Sequence, residues 1–204
     1  MNKISIIDYN IGNIGSVIKA FKFIGAEVDS INTPEQILKS SKLVLPGVSA
    51  FGSAMDNLKS LNLIQSIKEF IKSGKPFLGI CVGMQILFEE SSENPGVSGL
   101  GILRGKVERF ADSELAVPQM GWNTVSIQKE SSLLKGIKTS EYFYFVHSYY
   151  CIPESEKNIL TLTDYGKNYC SSIAKENISA VQFHPEKSQN GGLKILNNFL
   201  EMRL

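Results

Sequence analysis

The sequence predicts a three-layer α/β fold, a mostly parallel sheet flanked by helices with an added antiparallel section. In the first ninety residues, short apolar runs alternate with helical patterns, which is typical of parallel strands joined by right-handed crossovers. From Lys106 to Phe183, strand-like runs follow one another with only short turns, which favours antiparallel pairing. The 204 residues contain no evident linker, repeat or low-complexity tract, so a single domain over residues 1–204 is expected.

Four short apolar runs in the first half are predicted to be strands: Lys3–Ile7, Glu27–Ile31, Lys42–Leu45 and Phe77–Ile80. Helical spacing of apolar residues predicts two of the intervening helices. The first has Ile14, Val17, Phe21 and Ile24 on its apolar face and is expected to end at Gly25. The second has Leu63, Ile67, Phe70 and Ile71 on its apolar face and is expected to end at Gly74. A further helical run is predicted from Val82 to Glu90.

The second half of the chain has a different pattern, dominated by strands. The clearest runs are Thr124–Gln128, Tyr142–Val146, Asn158–Thr163 and Ala180–Phe183. Only the segment Gly192–Met202 has the apolar spacing of a helix, and it is expected to close the fold.

Composition excludes several classes of function. The net charge is +1, so no electrostatic argument favours nucleic acid or an anionic membrane. No apolar run approaches the roughly 18 residues that span a bilayer, and the first ten residues lack the features of a signal peptide. The three cysteines show no CxxC spacing, which argues against a disulfide framework or a zinc knuckle. We therefore expect a cytoplasmic protein with reduced thiols and with neither metal nor cofactor.

The most informative segment runs from Phe77 to Gln85, where a predicted strand leads into Gly79-Ile80-Cys81-Val82-Gly83. This is a cysteine version of the nucleophile elbow, a sharp strand-to-helix turn that lifts the nucleophile clear of the sheet. A cysteine at a helix N-terminus is favoured as the thiolate, and the amide of Val82 would face the oxyanion of a tetrahedral intermediate. The alternative is that Cys81 is a small buried core residue.

A thiol hydrolase also needs an imidazole and a group that orients it. His184 follows a predicted strand, where α/β sheets place their chemistry, and Glu186 is close enough to accept a hydrogen bond from the ring. Alternatively, the two residues merely share a surface turn. His147, the only other histidine, is the rival base, but no carboxylate lies near it in sequence, which favours a position in the pocket wall. Cys151 and Cys170 have no elbow and are expected to be structural.

Two separated motifs, Gly79-Ile80-Cys81-Val82-Gly83-Met84-Gln85 and His184-Pro185-Glu186, resemble the signature of class I glutamine amidotransferases. The resemblance implies that the cysteine attacks the side-chain amide of glutamine. It also implies that the histidine acts as general acid and base and that the glutamate orients the histidine.

Four further motifs are similar to the family of glutaminase subunits of imidazole glycerol phosphate synthase, which acts in histidine biosynthesis. They are Asp8–Asn13, Pro46–Gly52, Pro118–Asn123 and Tyr144–Tyr149. This resemblance spans nearly the whole chain. It implies a heterodimer in which a separate (β/α)8-barrel cyclase consumes the ammonia and forms imidazole glycerol phosphate and an aminoimidazole carboxamide ribotide.

The same resemblance implies roles for other residues. Gly47 and Val48 would belong to an oxyanion strand, whose backbone amide completes the oxyanion hole when the partner's ligand is bound. Gln85 would contact the amino-acid end of glutamine, together with the backbone of His147, Ser148 and Tyr149. The residues expected near the cyclase interface are Asn13, Met120, Trp122, Asn123 and Lys187.

The interface residues also allow a purely structural interpretation. Trp122 is the only tryptophan, and a lone tryptophan is more often partly buried in the core. The segment Pro118–Asn123 could then be a tight turn that enters the strand Thr124–Gln128.

One position departs from the family pattern, because Ser49 stands where the family usually has glycine. A residue with a Cβ atom resists positive φ, so this strand is expected to rearrange less readily or to be preset. Ser49 also fits a paralogous amidotransferase subunit that feeds ammonia to another acceptor, for example in sugar amination. A free-standing γ-glutamyl cysteine hydrolase and a binding protein with an inactive elbow are the remaining alternatives.

Overall fold

The structure is a computed structural model that describes residues 2–10, 14–111 and 115–203. Its strands are β1 (Lys3–Ile7), β2 (Glu27–Ile31), β3 (Leu43–Gly47), β4 (Phe77–Cys81), β5 (Glu90–Ser91), β6 (Gly105–Arg109), β7 (Gln119–Thr124), β8 (Ser126–Ile127), β9 (Tyr142–His147), β10 (Tyr149–Pro153), β11 (Ile159–Asp164), β12 (Asn168–Lys175) and β13 (Ile178–Val181). Its α-helices are α1 (Ile14–Phe23), α2 (Pro34–Lys39), α3 (Phe51–Ser60), α4 (Leu63–Lys72), α5 (Val82–Gln85) and α6 (Gln189–Glu201). Single 3₁₀ turns occupy Ser132–Leu134, Glu156–Asn158 and Pro185–Lys187.

Most of the described strands form one sheet, whose main path has the order β2-β1-β3-β4-β13-β12-β10-β6-β5. Pairing is parallel from β2 to β13 and antiparallel from β13 to β6, and β11 and β8 extend the antiparallel part. β7 and β9 form a separate antiparallel ribbon. The prediction of a parallel sheet with an added antiparallel section is therefore confirmed.

Helices cover both faces of the parallel part. α1 packs against α6, whereas α4 packs against α2 and α3. β3, β4 and β13 are buried along their whole lengths, as expected for central strands between two helical layers. Among the described residues, no helix combines the length and the apolar character needed to cross a membrane.

Several predicted boundaries differ from the observed ones. β1 and β2 match their predictions, and β13 begins and ends two residues before the predicted run Ala180–Phe183. The helix predicted for Val82–Glu90 is wrong beyond Gln85, because the carbonyl groups of Ile86 and Leu87 accept hydrogen bonds from residues 100–103. The alternative of a turn at Pro118–Asn123 is also wrong, since residues 119–124 pair with β9 along their whole length.

Candidate active site

The elbow at Cys81 has the strained geometry that the motif predicts. Cys81 connects β4 to α5 with φ 54° and ψ −110°, a backbone conformation that L-residues rarely adopt. A Cβ atom on Gly83 would lie 1.8 Å from the carbonyl oxygen of Leu45, and one on Gly79 would lie 2.6 Å from that of Gly83. Both glycines are therefore needed for the close approach of α5 to β3 and β4. Because α5 has only four residues, its dipole is weaker than the predicted longer helix would provide.

His184 and Glu186 lie just beyond β13 and interact directly. The Nδ1–H group of His184 donates a hydrogen bond to Oε1 of Glu186 over 2.8 Å, and both side chains are buried. The hydroxyl of Ser188 donates to the His184 carbonyl over 2.6 Å and accepts from the Tyr144 amide over 2.9 Å. These bonds fix the turn that carries the imidazole.

The sheet topology brings the thiol and the imidazole together. β4 and β13 are adjacent parallel strands with Ile80 opposite Val181, so Cys81 and His184 emerge at the same edge. Burial lowers the pKa of His184, but the negative charge of the Cys81 thiolate, together with the charge and hydrogen bond of Glu186, raises the pKa from 6.5 to about 10. Nδ1 is taken by Glu186, which leaves Nε2 for Cys81. Within the described part of the chain, Nε2 makes no hydrogen bond of normal geometry.

Cys81 and His184 line a cavity of about 250 Å³. The other lining residues are Val48, Ser49, Val82, Gln85, Glu93, Val146, His147, Ser148, Tyr149 and Lys187. Larger depressions exist elsewhere, such as one of about 630 Å³ bordered by β2 and α2, but the residues that line it include neither cysteine nor histidine. The smaller cavity, which is lined by the cysteine and the histidines, is therefore the candidate active site. Gly47 lies behind its wall, where a Cβ atom would meet Tyr9 and Val82 at 2.8 and 2.9 Å.

The segment that follows β3 contributes Val48 and Ser49 to the cavity. Its start is anchored by the Tyr9 hydroxyl, which donates to the Pro46 carbonyl over 2.7 Å. Val48 is half exposed and the hydroxyl of Ser49 donates to the Ala50 carbonyl over 3.2 Å. Neither residue has positive φ. This conformation therefore does not require Ser49 to enter the left-handed region that its Cβ atom disfavours.

Glu93 is a cavity residue that sequence reasoning missed. Its carboxylate accepts a hydrogen bond from the Phe51 amide over 2.7 Å, and Asn94 accepts one from Gly52 over 2.8 Å. These two side chains cap α3, which has no cap of its own because Ala50 occupies the N-cap position. No local signal could have revealed the contact, since 42 residues separate the partners.

His147 lies in the cavity wall, as expected. Its Nδ1 is 2.8 Å from the Tyr149 carbonyl and its Nε2 is 3.2 Å from the Tyr169 hydroxyl. Burial lowers the pKa of His147 from 6.5 to about 4, so the ring is neutral near pH 7. Because a backbone carbonyl accepts only, Nδ1 carries the proton and Nε2 is an acceptor. Cys151 and Cys170 lie opposite each other on β10 and β12, and burial raises the pKa of both thiols.

The residues expected at a partner interface divide into two groups. Met120 and Trp122 project from β7 with 65% and 45% of their surfaces exposed. Trp122 packs edge-on against Tyr144 with 6.0 Å between ring centres, and Lys187 Nζ lies 5.7 Å from the centre of the Tyr144 ring. Asn123 instead donates to the Asp164 carbonyl over 2.8 Å, which ties β7 to β11. Asn13 lies outside the described residues.

A buried thiol on a strained strand-to-helix elbow, beside a histidine held by a glutamate, is the arrangement of α/β cysteine hydrolases. The family model described as "Glutamine amidotransferase class-I" matches residues 5–202. The chain therefore belongs to the class I glutamine amidotransferase family.

Similar proteins agree with this assignment, and a solved structure agrees with the fold. The chain is 50% identical to imidazole glycerol phosphate synthase subunit HisH of Aquifex aeolicus over 95% of this chain and 94% of that protein. It is 50% identical to the subunit of the same name from Methanocaldococcus jannaschii over 98% of this chain and 99% of that protein. A crystal structure described as glutamine amidotransferase aligns with a TM-score of 0.76 over 97% of both chains, at 18% identity, which shows the fold alone.

Proposed function

We propose that this chain is the glutaminase subunit of imidazole glycerol phosphate synthase, which hydrolyses glutamine and delivers ammonia to a separate (β/α)8-barrel cyclase. The 50% identity to two HisH subunits, over 95% and 98% of this chain, supports this function. The observation that carries the chemistry is the placement of Cys81, His184 and Glu186 at one edge of β4 and β13. The antiparallel strands continue the same sheet, which supports one domain for residues 1–204. The three free, buried thiols fit a cytoplasmic location.

The proposed reaction begins when the Cys81 thiolate attacks the carboxamide carbon of glutamine. The His184 imidazolium gives its proton to the nitrogen, the C–N bond breaks, and ammonia leaves a γ-glutamyl thioester on Cys81. His184, now neutral, takes a proton from water, which attacks the thioester. Glutamate is released and the thiolate is restored. Throughout these steps, Glu186 holds Nδ1 so that Nε2 keeps facing the sulfur.

Oxyanion stabilisation is assigned to the amides of Val82 and Val48. Val82 directly follows the nucleophile, and Val48 lines the cavity on its β3 side. A carbonyl oxygen that becomes negative is stabilised by such preorganised N–H donors.

The cavity also offers groups for the amino-acid end of glutamine. Gln85 Nε2 already donates to the Tyr149 carbonyl over 3.0 Å and to Gln182 Oε1 over 3.1 Å, so Gln85 presents its Oε1 as an acceptor. Glu93 and Lys187 also line the cavity and carry opposite charges. These charges are complementary to the α-ammonium and α-carboxylate groups of the substrate.

The deciding experiment measures glutamine hydrolysis by the purified chain, alone and with a barrel cyclase subunit. We expect Cys81→Ala and Cys81→Ser to abolish hydrolysis in both conditions. Cys151→Ala is the matched control, because it also removes a buried thiol but lies outside the cavity, and it should keep turnover if the protein folds. Near-normal turnover by Cys81→Ala would overturn the assignment of the nucleophile.

The partner is tested separately by size-exclusion chromatography of the mixture. We expect a heterodimer and faster hydrolysis than by the chain alone. Full activity without the cyclase and no co-elution would favour a free-standing cysteine hydrolase instead.

A further inference from the structure

A second glutamine side chain lies beside the nucleophile. Gln182 directly follows β13, is fully buried, and places its Nε2 3.5 Å from the Sγ atom of Cys81. Its Oε1 accepts a hydrogen bond from Gln85 Nε2 over 3.1 Å. A buried carboxamide is unfavourable unless its polar atoms are paired, and the sulfur and Gln85 supply those partners.

The direction of this chain of hydrogen bonds is fixed by a backbone group. The Tyr149 carbonyl can only accept, so the atom of Gln85 that lies 3.0 Å from it must be the NH₂ group. The same NH₂ group contacts Gln182, so the Gln182 atom that faces it must be the carbonyl oxygen. The remaining NH₂ group of Gln182 therefore faces the sulfur as a donor and not as an acceptor.

We propose that Gln182 is a positioning residue for the nucleophile, whose N–H group stabilises the thiolate of Cys81 and fixes its direction. Gln85 and the Tyr149 carbonyl hold Gln182 in the required orientation. The carboxamide thus gives the sulfur a hydrogen-bond donor in addition to the positive charge of the His184 imidazolium. This inference deepens the proposed function, because it takes Cys81 to be the reacting group.

The donor acts on two steps of the proposed reaction. A sulfur with full negative charge accepts a hydrogen bond better than the neutral sulfur of a thioester does. Gln182 therefore favours the resting thiolate, and it favours departure of the thiolate when the thioester is hydrolysed. A side chain that only filled space would affect neither step.

The test compares Gln182→Met with the unchanged protein. Methionine has a similar length and lacks the donor. We measure the rate at which iodoacetamide alkylates Cys81 between pH 5 and pH 9, with the labelled peptide identified by mass spectrometry. We expect alkylation near pH 6 to slow about tenfold, as for loss of a hydrogen bond to a charged group, and to recover as the pH rises. We expect kcat for glutamine to fall by a larger factor than KM changes.

Two further variants distinguish the loss of the N–H donor of Gln182 from a change in side-chain packing. Gln182→Leu removes the donor with a side chain of different shape, so it should slow alkylation as much as Gln182→Met does. Gln85→Met removes the anchor, so it should slow alkylation by a smaller factor, with no additional effect in the Gln182→Met background. Gln128→Met is the matched control on the surface and should leave the pH profile unchanged.

The possible outcomes distinguish this inference from the proposed function. A Cys81 that resists alkylation in the unchanged protein, together with no hydrolysis of glutamine, would overturn the proposed function. A reactive Cys81 whose pH profile and kcat are the same in Gln182→Met would overturn only the role of Gln182, even if the unfolding temperature falls. If Gln182→Met does not fold, an unchanged profile in Gln85→Met would equally contradict the proposal.

Discussion

The two histidines are both buried, yet their neighbours move their pKa values in opposite directions. His147 faces a backbone carbonyl and a phenol, so burial dominates and lowers its pKa to about 4. His184 is also buried, but Cys81 and Glu186 outweigh that burial and raise its pKa to about 10. A buried carboxylate needs a cation, and among the described residues Glu186 hydrogen-bonds only to His184. Partners, more than burial, decide which histidine can carry a proton near pH 7.

Glu186→Gln should lower glutamine turnover about 100-fold, less completely than removal of Cys81, because the oxygen can still orient His184 while the charge is lost. Steady-state kinetics over a range of pH would measure this effect. Glu108→Gln, a surface carboxylate paired with Lys106, is the matched control and should leave kcat unchanged. An unchanged kcat in Glu186→Gln would show that the charge of this carboxylate is not used.

His147 makes the protein less stable in acid. Its folded pKa of about 4 lies below the ordinary 6.5, so the unfolded chain binds more protons between those pH values. The free energy of unfolding is therefore unaffected above pH 6.5 and falls by about 3 kcal/mol as the pH decreases to 4. Urea unfolding at pH 7.5 and pH 4.5 should show a smaller acid loss in His147→Gln than in the unchanged protein. An equal loss in both proteins would contradict this assignment.

The elbow depends on close backbone packing between β3, β4 and α5. Gly83→Ala would place a Cβ atom 1.8 Å from the Leu45 carbonyl, and a backbone carbonyl in a buried strand has little freedom to move. We expect a loss of about 3 kcal/mol in the free energy of unfolding, or failure to fold. Gly191→Ala in α6 is the control, because its Cβ atom would lie 3.3 Å from the flexible Glu141 side chain. Similar stability of both variants in urea unfolding would contradict the expected clash.

Local signals predicted elements where local chemistry decides the structure. Apolar runs predicted β1 and β2, and the Gly-x-Cys-x-Gly motif predicted the elbow. α2 was missed although Thr33 and Gln36 form a capping box around Pro34, a signal that the sequence does contain. α3 was missed for a different reason, since its caps come from Glu93 and Asn94, far along the chain. α5 ends early because of hydrogen bonds to residues 100–103, which helical periodicity cannot reveal.

At the scale of the whole molecule, strand order decides the site. β4 and β13 are neighbours in the sheet although about a hundred residues separate them, and β12 and β10 continue the sheet beyond them. The spacing of the motifs could not reveal this order, so the meeting of Cys81 and His184 at one edge remained a hypothesis from residue types. The resemblance named many of the cavity residues, but it did not indicate the direction of the hydrogen bonds from Tyr149 through Gln85 to Gln182.

The face formed by Met120, Trp122, Tyr144 and Lys187 continues to the cavity, because Lys187 also lines it. Exposed methionine and tryptophan side chains beside a cavity are typical of a protein–protein interface. A partner that covers this face would receive ammonia directly from the cavity and shield it from bulk water. This position, in addition to the exposure, favours this face as the docking surface for the proposed cyclase partner.

Trp122→Glu tests that interface with the intact protein. Because Trp122 is 45% exposed, we expect the unfolding temperature to stay within about 2 °C, whereas the Kd for the barrel subunit should rise about 30-fold, as for loss of an aromatic hot spot. Leu38→Glu is the matched control, since Leu38 is 43% exposed and its carbonyl accepts from Lys75, which precedes β4 at the opposite edge from Cys81. Equal Kd values for both variants by titration calorimetry would place the partner on another face.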